Sequence, residues 1–241
     1  MGDVSGWEMP LEFSGAAAEH QAVRSSAGMF DVSHLGELEV AGKDAPAGLD
    51  AVLCRPVSTL APGRAQYNAM LTPTGGVVDD VIVYRLKADH FLITTNAGAV
   101  ARDYAWIAGR LTSCADAVAF DASSRYGAIA VQGPAAVQVV QPLTGVDLAG
   151  LPRWGFAHSE FANVRGTISR TGFTGGDGFE ILVPPQQADR VWQALAAAGA
   201  VPCGALAAES LRVEAGLTMY GKDFDETTTV VPSCCKPRPA R

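Results

Sequence analysis

The sequence has little that would suit nucleic acid or a lipid bilayer. Its 241 residues carry 18 Lys and Arg against 25 Asp and Glu, a formal net charge of -7, so it offers no basic face to a phosphate backbone. No apolar run reaches the roughly 18 residues that a membrane-spanning helix needs, and the segment MGDVSGWEMP lacks the basic and apolar regions of a secretion signal. We therefore expect a cytoplasmic protein with no nucleic-acid partner and no membrane partner.

The sequence also lacks a cysteine pattern that would indicate disulfides or bound zinc. Five cysteines are an odd number, most of them are isolated, and none forms a CxxC motif or has ligand-like spacing to the four histidines. We expect neither a disulfide framework nor a metal site. The length is sufficient for one large domain or two ordinary ones, each with its own core.

One stretch combines a turn, two adjacent acids and a strand, namely GGVVDDVIVYR at residues 75–85. Side chains in a strand alternate between faces, so Asp79 and Asp80 point in opposite directions. Asp80 would share a face with Ile82 and Tyr84 and could line a cavity with them. The alternative is that the glycines and acids only form a turn and protect the end of an apolar strand, and the stretch alone does not decide between them.

The surrounding pattern, residues 56–120, predicts a hairpin sheet with one helix. AQYNAML, DDVIVYRL, FLITTNA and DAVAFDA have the character of strands, and VARDYAWIAGRLTS of a helix. We expect Tyr104, Ile107, Ala108 and Leu111 to form the helical stripe that packs against the sheet. Asn96 immediately precedes that helix, where it would either cap it or contact a ligand.

The second half of the chain predicts further strands around a glycine-rich turn, RTGFTGGDGFEI, followed by two helices. The glycine spacing fits neither a Walker loop nor GxGxxG, so a phosphate-binding loop is not indicated. Glu180 lies between Phe179 and Ile181 in a strand. It either faces solvent or is a buried carboxylate that needs a partner.

Several motifs together resemble the aminomethyltransferase, or T-protein, family of the glycine cleavage system. They are GWEMPLEFSG, EHQAVRSSAGMFDVSHLGELEV, YNAMLTPTGGVVDDVIVYR, AVQGP, RTGFTGGDGFEI, ESLRVEAGL and MYGKDFDETTT, and they occur in the family's order over nearly the whole chain. The resemblance implies an α+β, T-protein-like folate-binding fold of antiparallel sheets with packed helices.

The resemblance also implies a domain organisation. We expect a discontinuous folate-binding domain at 1–55 and 121–225, an inserted ferredoxin-like α+β domain at 56–120 and an irregular tail at 226–241. The family normally continues into a C-terminal β-barrel, which we expect this chain to lack.

The resemblance assigns tetrahydrofolate as cofactor and gives its contacts as Leu35, Tyr67, Asp80, Tyr84, Asn96, Phe173 and Glu180. The two tyrosines would form ring walls, Asn96 a polar contact, and Phe173 a stacking contact where the family usually has Tyr. Leu35 would be an apolar contact where Met is usual. Glu180 would accept hydrogen bonds from the pterin amino group, for which a carboxylate has suitable geometry.

The implied reaction transfers a methylene from an aminomethyl group on the lipoyl arm of a carrier protein, the H-protein, to tetrahydrofolate, with release of ammonia. Positive charge develops on the carbon as the amine leaves, and a carboxylate shielded from water would stabilise that charge. Asp80 is the expected catalytic residue. Positioning of the two reactants can supply much of the rate without a nucleophile or metal.

Two positions besides Leu35 and Phe173 depart from the family pattern. Ala208 stands where the family usually has an arginine that supports the folate site, and Gly176 replaces a usual Glu. These departures and the expected lack of the barrel leave two alternatives open. One is a truncated or non-catalytic folate-binding protein, and the other is a tetrahydrofolate-dependent demethylase, since such relatives need not share that arginine.

Overall fold

The computed structural model describes residues 1–229, which form two compact units. The first unit comprises Met1–His34 and Ser124–Leu217. The second comprises Leu35–Ser123 and the described residues from Thr218 onward. Each unit contains one large, mainly antiparallel sheet and its own hydrophobic core.

Most helices follow two or three consecutive strands along the chain. The first half contains β1 (Gly2–Val4), β2 (Trp7–Met9), α1 (Ala16–Ser25), β3 (Gly28–Asp31), β4 (Gly36–Ala41), α2 (Ala45–Asp50), β5 (Arg64–Leu71), β6 (Val77–Lys87), β7 (His90–Thr95) and α3 (Val100–Leu111). The second half contains β8 (Val118–Asp121), β9 (Gly127–Gln132), α4 (Ala136–Val140), β10 (Phe156–Phe161), β11 (Val164–Ser169), β12 (Gly178–Val183), α5 (Ala188–Ala197), β13 (Val201–Pro202) and α6 (Ala205–Glu214).

The first unit has a six-stranded sheet in the order β10-β11-β12-β9-β3-β13, in which only the β13–β3 pair is parallel. Alternate residues of β12, Phe179 and Ile181, belong to a core that also includes Val191 and Leu195 of α5. Because side chains alternate along a strand, Glu180 points to the opposite face of the sheet. The sheet register therefore directs this carboxylate away from the core.

The second unit has a five-stranded antiparallel sheet in the order β5-β6-β7-β4-β8. Helix α3 packs Ile107 and Leu111 into a core shared with Val81 and Val83 of β6. The turn before β6 contains Gly75 with a φ of 87°, a left-handed conformation that glycine adopts without strain. The predicted turn and strand are confirmed, and β6 is an interior strand of the sheet, paired with β5 on one side and β7 on the other.

The predicted α+β class with antiparallel sheets and packed helices is confirmed in both units. The unit bounds differ from the predicted domains, because residues 35–55 belong to the second unit. The reason is strand pairing: β4 pairs with β7 on one side and β8 on the other. The sheet of the second unit is thus incomplete without β4, a strand from outside 56–120. Residues 230–241 of the predicted tail lie outside the described residues.

The stripe predicted for α3 is partly wrong. Tyr104 is 37% exposed, whereas Asp103 is fully buried in line with Ile107 and Leu111. An apolar side chain was expected at the buried position, but the structure places a carboxyl group there. None of the helices within residues 1–229 is both long and apolar enough to cross a membrane.

Candidate functional site

The two acids of β6 lie on opposite faces of the strand, as predicted. Asp79 is fully buried on the side of Val81 and Val83, beneath α3, while Asp80 is only partly buried on the other side. Position 80 is opposite Ala69 of β5 and position 82 is opposite Tyr67. Tyr67 is therefore a diagonal neighbour of Asp80 on the same face of the sheet.

Both carboxylate oxygens of Asp80 accept hydrogen bonds. The Tyr67 hydroxyl donates to Oδ2 at 3.1 Å, while the Asn96 side-chain amide and the Tyr220 backbone N–H donate to Oδ1 at 3.0 Å and 3.2 Å. The donors come from β5, from the end of β7 and from the segment after α6. The Asp80 carboxylate is consequently held in one orientation by three parts of the second unit.

The surroundings of Asp80 raise its pKa to about 6 from an ordinary value of 3.8. Burial is the largest cause and the charge of Asp79 is the second, and both disfavour ionisation. The hydrogen bonds from Tyr220, Asn96 and Tyr67 favour the ionised form and offset part of the shift. Asp80 can therefore exchange a proton close to neutral pH while remaining mostly ionised at pH 7.

Asn96 does not cap the helix that follows it, since its side chain makes no capping hydrogen bond. Instead its amide nitrogen donates to Asp79 Oδ1 at 2.8 Å and to Asp80 Oδ1 at 3.0 Å. Of the two roles that the sequence left open, the structure excludes side-chain capping. Asn96 bridges two carboxylates that belong to opposite faces of β6.

Behind Asp80 lies a group of charged residues that the sequence analysis missed. Asp103 of α3 is fully buried, and Arg102 donates from Nε to its Oδ1 at 3.2 Å. The Arg102 Nη2 atom lies 3.8 Å from Asp79 Oδ2, and its guanidinium stacks over the Tyr220 ring at 4.4 Å. One signal was available: Asp103 lies four residues before Ile107, a position on the buried side of the helix.

The pKa of Asp103 is raised to about 9, firstly by burial and secondly by its hydrogen bond to Asp79 and the charge of that neighbour. Arg102 opposes the rise but does not cancel it. The raised pKa favours the protonated form of Asp103, which lies next to a second buried carboxyl group. Such a hydrogen bond between two carboxyl groups requires one proton.

The second unit contains five of the seven predicted contact residues. Hydrogen bonds join three of them, Tyr67, Asp80 and Asn96. Tyr84 is buried, four residues along β6 from Asp80 and on the same strand face, while Leu35 is half-buried immediately before β4. Whether these five bind folate is not tested by the arrangement and stays a prediction.

Glu180 and Phe173 belong to the first unit. The hydroxyl of Thr171 donates to the Glu180 carboxylate. The hydroxyl oxygens of Ser169 and Thr171 are 2.7 Å apart and share one hydrogen bond. Both hydroxyl residues are buried, whereas Glu180 is half-buried. Glu180 is thus neither a free surface acid nor part of the core. Its carboxylate is oriented by its neighbours and still reaches the surface of the sheet.

An aromatic pair lies on the same sheet face as Glu180. Ala130 of β9 is paired with Glu180 on one side and with Phe30 of β3 on the other. The Phe30 ring meets Phe173 edge to face with centroids 5.2 Å apart. Glu180 and Phe30 therefore lie on either side of Ala130, a small residue that is itself fully buried, and the Phe173 ring packs against Phe30.

A separate groove of about 600 Å³ lies along β10, β11 and the end of β12 in the first unit. Its lining includes Arg125, His158 and Arg165 and none of the predicted site residues. The groove is therefore distinct from the polar groups described above.

Comparison with known proteins identifies the family. The model of the GCVT N-terminal domain matches residues 1–233. The chain belongs to this family. The resemblance drawn from the sequence motifs is thereby confirmed for the GCVT N-terminal domain.

Two similar proteins extend the comparison. The aminomethyltransferase of Exiguobacterium sibiricum is 45% identical over 231 residues, which cover 96% of this GCVT chain and 64% of the relative. The crystal structure of glycine cleavage system aminomethyltransferase T from Bartonella henselae superposes with a TM-score of 0.89 at 30% identity, covering 98% of this chain and 65% of that one. The chain thus spans a little under two thirds of the length of these relatives.

A more distant structure shares the fold alone. The heterotetrameric sarcosine oxidase from Corynebacterium sp. U-96 superposes with a TM-score of 0.55 at 20% identity, covering 76% of this chain and 90% of that one. At this identity the likeness supports the α+β fold of the GCVT domain and nothing about its chemistry.

Proposed function

We propose that this chain carries the folate-dependent chemistry of an aminomethyltransferase. In the proposed reaction a methylene moves from an aminomethyl group on a lipoyl carrier protein to tetrahydrofolate, and ammonia is released. The observation that carries the proposal is Asp80, a partly buried carboxylate held by three hydrogen bonds and titrating near pH 6. The 45% identity to a protein named aminomethyltransferase supports it.

The residues present fit a folate in two respects. In the second unit, Asp80 and the Tyr67 hydroxyl form a polar patch on one face of the sheet. In the first unit, the half-buried Glu180 lies on the sheet face that also carries Phe30, whose ring contacts Phe173. A half-buried carboxylate can accept two hydrogen bonds from an aminopyrimidine, and an aromatic edge can contact its ring.

Asp80 is the proposed catalytic residue. Tetrahydrofolate supplies the nitrogen nucleophile that receives the one-carbon unit. As the carbon–nitrogen bond of the donor breaks, positive charge develops on the carbon, and the ionised Asp80 stabilises it in surroundings that hold little water. The same carboxylate can accept the proton that each attacking folate nitrogen loses. One proton leaves with the amine as ammonia. The other goes to the lipoyl sulfur, whose bond to the carbon breaks as the second folate nitrogen bonds to that carbon.

The hydrogen bonds around Asp80 suit this role. They fix the carboxylate before the donor arrives, so little reorganisation is needed when charge develops. Because its pKa lies near 6, Asp80 is a stronger proton acceptor than an ordinary carboxylate, yet it is still ionised at pH 7. Asn96 and Tyr67 are proposed to position this residue, and Tyr84 and Leu35 to form apolar walls for the bound ring system.

Binding and turnover should be measured separately. Calorimetric titration with tetrahydrofolate tests whether the chain binds folate, and we expect saturable binding. In Glu180→Gln we expect this binding to weaken at least tenfold, because the variant has lost the negative charge that would pair with the pterin amino group. Glu160→Gln is the matched control, because Glu160 is an exposed acid on strand β10 of the same sheet. Equal binding by both variants would remove Glu180 from the proposed site.

Turnover is measured as methylene-tetrahydrofolate formed from an aminomethyl-lipoyl carrier. We expect Asp80→Asn to lower kcat by two orders of magnitude or more while the protein remains folded, since a neutral amide cannot stabilise a cation. Asp89→Asn is the control, as Asp89 is exposed in the turn after β6. Unchanged turnover in Asp80→Asn would exclude Asp80 as the catalytic group.

Two other outcomes correspond to other functions. Saturable folate binding without turnover of the aminomethyl donor would indicate a non-catalytic folate-binding protein. Turnover with a methylated amine in place of the lipoyl-bound donor would indicate a demethylase. One observation favours the demethylase: Ala208 lies on α6 at a position where the family usually has an arginine.

A further inference from the structure

Two buried carboxyl groups meet beneath Asp80, and their charges do not balance if both are ionised. Asp79 and Asp103 are each fully buried, and the one cation beside them among the described residues is Arg102. Two ionised carboxylates and one guanidinium would leave a net negative charge in the core of the second unit. An unbalanced buried charge is costly, and the usual remedy is uptake of a proton.

The hydrogen bonds lead to the same conclusion. Asp79 Oδ1 accepts from Asn96 and from the Asp80 backbone N–H, and Asp103 Oδ1 accepts from Arg102. The remaining oxygens, Asp79 Oδ2 and Asp103 Oδ2, are buried and receive no hydrogen from any donor within residues 1–229. A proton on one of them would make each oxygen the partner of the other and satisfy both.

We propose that Asp79 and Asp103 share a single proton, and that this pair is the element that positions Asn96 and Asp80. One end of the pair is fixed by Arg102. The other end, Asp79 Oδ1, orients the Asn96 amide, which in turn donates to Asp80. The pair then carries one negative charge, which Arg102 balances.

Three further charged or titratable residues lie beside the pair. Asp80 follows Asp79 on β6, Arg102 precedes Asp103 on α3, and Tyr220 stacks on the Arg102 guanidinium. The raised pKa of Asp103, due first to burial and then to Asp79, agrees with a retained proton. Asp80 remains the group that titrates near neutral pH.

The shared proton is tested without any assay of turnover. In protein labelled with ¹³C at the aspartate carboxyl carbon, NMR at about pH 7.5 distinguishes a protonated carboxyl from ionised ones, since ordinary aspartates titrate near pH 4. We expect one protonated aspartate in the wild type and none in Asp103→Asn. Asp89→Asn, at an exposed position, should retain the signal.

The decisive variant is Asp79→Asn. Its amide can still accept from Asn96 through Oδ1, and its NH₂ can donate to an ionised Asp103, so a shared proton is no longer needed. We expect the protonated signal to disappear in this variant also. A signal that persists in Asp79→Asn would show that burial alone protonates Asp103 and would overturn the shared-proton pair, as would the absence of a protonated aspartate in the wild type.

The positioning role rests on the proposed function and is read from kinetics. Asp103→Asn preserves a donor toward Asp79, whereas Asp103→Ala removes it. We expect kcat to fall at least tenfold in Asp103→Ala and less than about threefold in Asp103→Asn, with KM for tetrahydrofolate changed less than about twofold in both. Equal kcat losses in the two variants would refute positioning. If the wild type has no turnover at all, the proposed function fails, but the NMR result stands independently.

Discussion

The side-chain amide of Asn96 donates to Asp79 at 2.8 Å and to Asp80 at 3.0 Å, and so joins two carboxylates that strand alternation sends to opposite faces of β6. Asp79 is fully buried, while Asp80 is partly accessible. Asn96 is therefore the connection between a charged group in the core and the proposed catalytic group at the surface of the sheet. Changes on the buried side should be detectable in the titration of Asp80.

The turnover rate should follow the ionisation of Asp80. Its pKa of about 6 predicts that kcat falls as pH decreases through 6, because the protonated acid no longer stabilises a cation. The charge of Asp79 contributes to this raised pKa, so Asp79→Asn should move the acid limb to lower pH. The measurement is kcat from about pH 5 to 8. An acid limb at the same pH in both proteins would contradict the assignment to Asp80.

Removal of the Tyr67 hydroxyl should have the opposite effect on the acid limb. The hydroxyl donates to Asp80 at 3.1 Å and lowers its pKa, so Tyr67→Phe should move the acid limb of kcat to higher pH. We also expect a loss of stability of about 1 kcal/mol, as for one net hydrogen bond. Tyr104→Phe, at a partly exposed position of α3, is the control and should leave the pH profile unchanged.

The proton held at Asp103 should make stability depend on pH. The folded-state pKa of about 9 lies above the ordinary 3.8, so the folded protein retains a proton that the unfolded chain has lost. This stabilising contribution is fully present below the unfolded pKa, declines as pH rises from about 4 and is lost as pH passes about 9. For one bound proton, the free energy of unfolding changes by at most about 1.4 kcal/mol per pH unit.

Asp103→Asn has no such proton, so its stability relative to wild type should increase with pH across that window. Urea unfolding at about pH 5, 7 and 9 measures the difference, with Asp89→Asn as a control that should follow the wild type. A constant difference between Asp103→Asn and wild type at all three pH values would mean that Asp103 is ionised in the folded protein.

Glu19 in the first unit gives a stability prediction with the opposite sign. Its buried carboxylate accepts from the backbone N–H groups of Phe13, Ser14, Gly15 and Gly204, the first two at 2.6 Å and 2.7 Å. Burial raises the pKa of Glu19, but these four donors outweigh burial and the net shift is downward. We expect Glu19→Ala to cost about 2–4 kcal/mol, because the donors are left without an acceptor.

The pH dependence provides the check on Glu19. A lowered folded-state pKa means that the stabilisation is present above the ordinary value of 4.5 and is lost as pH falls through the folded-state pKa. The destabilisation caused by Glu19→Ala, measured by urea unfolding, should therefore be largest near neutral pH and shrink under acid. Glu160→Gln, at an exposed position, should cost less than about 0.5 kcal/mol.

Much of the fold was accessible from local sequence pattern. The glycine turn followed by alternating apolar residues predicted β6 and the separation of Asp79 from Asp80. Periodicity also indicated α3, although it placed Tyr104 rather than Asp103 on the buried side. The error arises because a hydrophobic pattern has no means of recognising a buried carboxyl group whose partners lie elsewhere in the chain.

The candidate site depended more on the resemblance to a family than on residue patterns. The residue pattern singled out Asp80 and Asn96 without deciding their role, the resemblance gave them one and added Tyr67, and the structure joins the three by hydrogen bonds. Arg102 and Tyr220 were not proposed. Neither belongs to a recognisable motif of charge or spacing, and their relation to Asp80 exists only after α3 and the segment following α6 have packed in the second unit.

The sequence by itself determined the α+β class, the positions of most strands and helices and the opposite orientations of the two acids, because all three follow from interactions between residues close in the chain. Only the tertiary structure decided which groups surround Asp80. Its donors include the backbone of Tyr220, which is 140 residues away. The pKa of a carboxyl group depends on burial and on charges within a few ångströms, and chain folding sets both.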